Sequence, residues 1–123
     1  MEIVHEESGE PLATTVEIAD TYLARTRGLM FRRSISDDDA LVFAYDDQSA
    51  RQLHMLFVPF DIDAMWLADG VVQATKRLPA WTGHGRAVAD TVVELPAGAA
   101  DGVEPGDHVR LVQTGQSRSS HVQ

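Results

Sequence analysis

Asp61 and Asp63 flank Ile62, a short way beyond His54. On a strand, alternation puts both carboxylates on one face. Two carboxylates roughly 7 Å apart could bind a hard cation or divide acid and base roles. A neutral imidazole at His54 could act as base or metal ligand. Each residue also has a plainer role. Asp61, after Pro59-Phe60, is a turn former able to tie down backbone N–H groups. Asp63 reads as solvated. His54 sits in an apolar run and reads first as a partly buried ring bonded to a backbone carbonyl.

Arg27 is the main candidate anchor. A guanidinium at a helix end can fork onto a carboxylate, whether a ligand's or the chain's own Asp61 or Glu94. Arg25, Arg27, Arg32 and Arg33 form the single basic cluster, which reads as a helix C-terminus before it reads as an anion site. Met30 and Met55 could line an adaptable apolar groove, with core filling as the default. Trp81, His84 and Arg86, on a glycine-containing loop, are a possible contact surface, or Trp81 caps one end of the fold. Asp37-Asp38-Asp39 and Asp46-Asp47 lack the Gly and terminal Glu of a calcium loop, so no metal site is read there. There is no P-loop, dinucleotide glycine motif, His-Glu-x-x-His or nucleophile elbow, and no cofactor is implied.

The elements that must position these groups are mostly strands. Thr14 to Ile18 alternates with period two. Leu41 to Tyr45 is a short apolar run ended by Asp46-Asp47. Leu53–Val58 and Ile62–Ala68 are two more, separated by Pro59. Asp69-Gly70 is a type I′ hairpin signal joining Ile62–Ala68 to Val71–Leu78. Ala89 to Leu95 alternates and turns Glu94 away from the Val93/Leu95 side. Val109–Leu111 makes a last strand, and Glu2–His5 a possible edge. Asp20 is a suitable N-cap for a helix over Thr21–Arg27 with Gly28 at its C-terminus. Ala97–Val103 is expected to add a helical turn, and Pro79–Arg86 a surface loop. The fold class expected is mainly β (a β-rich α+β chain): a small barrel-like or sandwich arrangement of about seven short strands with one or two short helices. Residues 1–112 read as a single globular domain and residues 113–123 as a disordered polar tail.

Composition bounds the setting. The chain has 123 residues, 44% of them hydrophobic and 24% charged. That is enough for one domain with a real core. It has no cysteine, so disulfides and thiol chemistry are excluded. No apolar run approaches the ~20 residues of a membrane helix, and Met1–Glu7 shows no secretory pattern, so a cytoplasmic protein is expected. The net charge is −9, with 19 acids and 10 Lys plus Arg. All of those cations but Lys76 are arginines. An acidic, lysine-poor surface resembles halophile proteins, whose self-repulsion concentrated salt screens. It also argues against nucleic-acid binding, which needs a basic stripe.

Three stretches resemble one family. The first is Arg27-Gly28-Leu29-Met30, followed by Arg33. The second runs from His54-Met55-Leu56-Phe57-Val58-Pro59-Phe60-Asp61-Ile62 into Trp66-Leu67 and Asp69-Gly70. The third is Val93-Glu94-Leu95-Pro96-Ala97-Gly98, then Val103, Gly106-Asp107 and Val109. In order and spacing, from about Leu12 to Val112, they are similar to the family catalogued as domain of unknown function 192. The resemblance implies a mostly β fold and no established activity. Many members carry an aromatic-Trp-Met opening, then Lys, Asn and Thr, where this chain has Leu53, His54, Met55, then Leu56, Phe57 and Val58. If those polar groups form a ligand site in relatives, that site is absent or changed here.

The function expected is a non-enzymatic binding module for a small ligand or peptide, acting as a monomer without membrane or nucleic-acid partners. Its groove would lie between the Arg27–Met30 turn and the Leu53–Asp61 segment, with Arg27, Met30, His54, Met55, Asp61 and Trp81 as binding residues. The alternatives are a hydrolase or lyase using Asp61 with His54 or His84, and a protein-interaction module without a small-molecule site.

Overall fold

Asp69 and Gly70 both adopt left-handed backbone, with φ of 51° and 79°. A type I′ turn needs this at its two central residues. The turn joins Ile62–Ala68 to Val71–Leu78 in antiparallel register, Ala68 opposite Val71. This hairpin belongs to a computed structural model that describes residues 1–19 and 28–113. The strands are β1 (Glu2–His5), β2 (Pro11–Ala13), β3 (Thr15–Ala19), β4 (Asp39–His54), β5 (Ile62–Ala68), β6 (Val71–Leu78), β7 (His84–Pro96) and β8 (Val109–Val112). A five-stranded sheet is ordered β3-β4-β7-β5-β6, and a three-stranded sheet β2-β1-β8. β3 lies parallel to β4; every other pairing is antiparallel.

Each face of the large sheet carries a buried cluster. Along β5, Ile62, Ala64 and Trp66 enter one core cluster, and Met65 and Leu67 the other. Strand alternation divides them. The face carrying Ala40, Val42, Met65, Leu67, Val93 and Leu95 is packed by Ile3, Ala13 and Val109 of the small sheet and by Ala100 and Val103. The opposite face carries Leu41, Phe43, Trp66 and Val92, and is covered by Leu29, Met55 and Val58 from connecting segments. Each such large apolar side chain contributes roughly 1.5–3 kcal/mol on burial. Trp66 is held by a bond from its indole N–H to the Arg51 carbonyl (2.9 Å). It lies against Gly85, where a Cβ would stand 2.7 Å from Trp66 Cη2.

The mainly-β expectation holds, but several details differ. The sheets do not close into a barrel; β3 and β6 are the outer strands of the large sheet. The described residues contain no helix: Ala97–Gly102 is a series of turns, and Thr21–Arg27 lies outside the described residues. In place of the expected helical turn, the Gly98 and Ala100 amides of this segment donate to Asp63. β4 does not stop at Asp46-Asp47. Its register with β7 shifts between Ala44 and Ser49 and then continues to His54. Arg51 pins this bulge by donating to the Asp47 carbonyl and carboxylate (both 2.8 Å) and to the Ala89 carbonyl (3.1 Å). The expected strand Leu53–Val58 ends at His54, because Val58 N donates back to Met55 O (3.0 Å) in a turn. The expected loop at Pro79–Arg86 gives way to β7 at His84. Pro11–Ala13 forms a strand that its short sequence does not announce.

Candidate functional site

Three connecting segments meet over the face of Phe43 and Val92. Phe31 N donates to Phe57 O (2.8 Å), Met55 N to Gly83 O (2.9 Å) and Trp81 N to Val58 O (3.0 Å). Phe31, Phe57 and Trp81 all have left-handed φ, at 68°, 61° and 67°. Such backbone costs a non-glycine residue of order 1–3 kcal/mol and persists where its surroundings over-determine it. Phe31 and Phe57 stack with centroids 4.9 Å apart. Phe31, Leu56, Phe57 and Trp81 are exposed, so these segments present apolar side chains outward.

Beneath them is a cavity of about 90 Å³ whose lining includes Gly28, Met30, Phe43, Tyr45, His54 and Glu94. Glu94 is its one acid among the described lining. β7 alternation sends Val93 and Leu95 to the small-sheet side and Glu94 to the cavity side. The side chain is buried, and among the described residues nothing hydrogen-bonds to Oε1. Loss of solvation pushes its pKa up to about 8, against a smaller opposing pull from the Arg32 charge. The carboxyl is therefore mostly protonated at neutral pH. Gly28, with φ of 53°, keeps the space open: a Cβ there would stand 3.3 Å from Phe43 Cζ and 3.8 Å from Glu94 Oε1. Alternation along β4 puts Tyr45, like Leu41 and Phe43, on the cavity side, its ring centroid 3.7 Å from the Arg51 guanidinium carbon.

Of the residues expected in the site, Met30 and His54 line this cavity. Arg27 lies outside the described residues. Met55 is buried in the core cluster under the connecting segments. Asp61 is exposed and its Oδ1 accepts from Ala80 N (2.8 Å), the turn-forming role. Trp81 is 57% exposed and so plugs nothing. His54 is exposed, and its Nδ1 accepts from Leu56 N (3.3 Å) rather than donating to a carbonyl. His54 and His84 oppose each other in the β4–β7 register. No hydrogen bond among the described residues joins either ring to Asp61. Glu94 was named only as a possible partner for Arg27, and its place on a cavity wall was not expected. Its signal was a single charge in Val92-Val93-Glu94-Leu95, a run otherwise fit for burial on both faces.

Asp63 corrects a further expectation, because it is buried rather than solvated. It pairs with Arg77 and accepts from Gly98 N and Ala100 N (both 3.0 Å). Arg77 also reaches Asp101 (2.6 Å). A larger recess of about 190 Å³ adjoins these groups and Lys76. Its charges are already engaged, Lys76 Nζ donating to His84 O (2.7 Å). The other chemistry-bearing group is His5, Glu7 and Asp107, whose ligand atoms lie within 4.8 Å of one another. His5 is bonded on both sides, to Asp107 Oδ2 (2.7 Å) and Ser8 Oγ (2.8 Å). Glu7 accepts from His108 N (2.8 Å) and meets its ring (2.7 Å), and these bonds hold its pKa down at about 2. The arrangement joins β1 to the approach of β8.

Comparison with known proteins agrees with this architecture. The profile of a family described as "Uncharacterized ACR", DUF192, matches residues 3–111. UPF0127 protein TK1120 of Thermococcus kodakarensis is 29% identical over 116 residues, covering 91% of this chain and 74% of the relative. A UPF0127 protein of Thermococcus gammatolerans is 34% identical over 65 residues, 53% of this chain and 42% of that one. A crystal structure from Sinorhizobium meliloti, provisionally described as a transcription regulator, has a TM-score of 0.76 at 26% identity, over 89% of both chains. One of unknown function from Novosphingobium aromaticivorans has a TM-score of 0.71 at 23% identity, over 88% of this chain and 91% of that one.

Proposed function

Because the chain belongs to the DUF192 family, whose function is uncharacterised, its role must be read from its own site, and we propose a non-enzymatic binding module for a small ligand or peptide. The observation that carries this is Glu94: a buried carboxyl with no partner for Oε1 among the described residues, on the wall of an open cavity. A buried acceptor without a partner costs about 1–3 kcal/mol, which a ligand donor would recover. The exposed aromatics beside the opening suit the apolar part of a peptide or small molecule. Met30 and His54 are binding residues in this reading, with Arg27 and Trp81 as further candidates. Met55 and Asp61 act by holding the segments in place.

The domain is read as a monomer working in the cytoplasm at high ionic strength, which suits a net charge of −9. A net charge of −9 and scattered arginines do not suit the phosphate contacts of nucleic-acid binding. The test is a screen of small molecules of mixed charge in concentrated salt, read by NMR. Hits should shift Leu29, Met30 and Val58. Hits that map only to other surfaces defeat the reading.

A further inference from the structure

We propose that the Glu94 cavity takes a cationic nitrogen head group, an alkylammonium or guanidinium, whose N–H donates to Oε1 while its apolar body leaves along the connecting segments. This rests on the binding-module reading and names the ligand class for the same site. Several observations converge on it. The acceptor is buried, and the described lining holds no Lys or Arg that could satisfy it from within. Phe43 is in the wall, and aromatic faces favour cations; the neighbouring Tyr45 ring already carries one, Arg51. The chain's charge of −9 draws cations towards it from solution. The apolar outlet is supplied by Met30, Leu53 and Val58 in the lining.

The same geometry gives a signature. With the cavity empty, Glu94 holds its proton at neutral pH. A cation in contact with it restores the ionised form, so binding releases a proton to solvent. Among the described residues the charged or titratable neighbours are Arg32, from the segment after Gly28, and Tyr45 and His54 from β4, with Arg51 behind the Tyr45 ring. The register partners of Glu94 on β4 and β5, Leu41 and Ala64, are apolar. Glu94 is therefore the buried source of that proton.

The experiment uses the full chain in concentrated salt with three probes of matched size: n-butylammonium, n-butanol and butyrate. NMR maps the site, and calorimetry in buffers of differing ionisation enthalpy counts protons. Butylammonium is expected to shift Leu29, Met30 and Val58 and to release up to one proton near pH 7. Glu94→Gln should weaken it roughly ten- to a hundredfold and abolish the release. That variant keeps shape and removes a buried ionisable group, so its fold should persist. Its near-native amide spectrum is the check, and Glu94→Met supplies a second uncharged variant. If butanol or butyrate binds the cavity as tightly, or if butylammonium binds both variants unchanged, the cation assignment is overturned and the cavity reading stands. If no probe in this series or the mixed-charge screen reaches the cavity, both fall.

Discussion

Gly28 and Glu94 face each other across the cavity, close enough that a methyl group on the glycine would stand 3.8 Å from Glu94 Oε1. The glycine is therefore both a backbone requirement and a spacer. Gly28→Ala meets left-handed φ and the Phe43 ring together. It should cost about 1–2 kcal/mol and shrink the cavity. Urea denaturation measures the first effect, and loss of NMR shifts with butylammonium the second. A variant of native stability with undiminished binding would contradict both roles.

Glu94 also sets a pH dependence. Its folded pKa, near 8, lies above the ordinary 4.5 of the unfolded chain. Between those values the folded state binds more protons, so stability must fall as pH rises. The contribution is whole below about pH 4.5, declines by up to roughly 1.4 kcal/mol per pH unit, and is lost above about pH 8. Glu7 works in the opposite sense and lower: its lowered pKa adds stability above pH 4.5 that is lost as the pH falls towards 2. Unfolding free energies from pH 5 to 9 should slope downward in the native chain and less steeply in Glu94→Gln, where the raised pKa of His108 leaves a remaining slope. Equal slopes in the two would refute the assignment.

Asp63 and Asp61 predict a contrast between neighbours. Asp63 is buried, accepts two amides and pairs with Arg77, whereas Asp61 is exposed and accepts one. Asp63→Ala should cost about 2–4 kcal/mol and loosen the 97–102 turns. Asp61→Ala should cost about 1 kcal/mol. Urea midpoints of the two variants decide the order, and hydrogen exchange at Gly98 and Ala100 should quicken only in the first.

Salt is expected to strengthen the fold. With −9 net charge, raising KCl from about 0.1 M to about 2 M shortens the Debye length to a few ångströms and mutes surface repulsion. The melting temperature should climb markedly over that range. A flat profile would remove the reading of adaptation to concentrated salt.

The hairpin β5–β6 was legible in its bounds and turn because those signals are local: an apolar run, Asp69-Gly70, and a second run; its register shift between Trp66 and Leu67 was not. β4 beyond Tyr45 was not. Nothing in Asp46-Asp47-Gln48 marks a bulge, which exists because Arg51 reaches back to Asp47 and across to Ala89. Of the two buried carboxylates, alternation put Glu94 on its correct side, away from Val93 and Leu95, but did not show the cavity there, whose lining draws on Gly28 and Val58 from distant segments. Asp63 likewise meets Arg77, Gly98 and Ala100 only after the chain has folded. Local pattern tells which side a residue takes; the partners that bury that side are set by topology.

β1 pairs along its length with β8, Ile3 opposite Leu111. During synthesis β1 must therefore wait until β8, far along the sequence, has emerged before it gains this neighbour. Until then, the sheet face around Met65 and Leu67 lacks the cover that Ile3 and Val109 supply. Final closure of that side is thus a late folding event, and an incomplete nascent chain carries a sticky flank that a chaperone would hold.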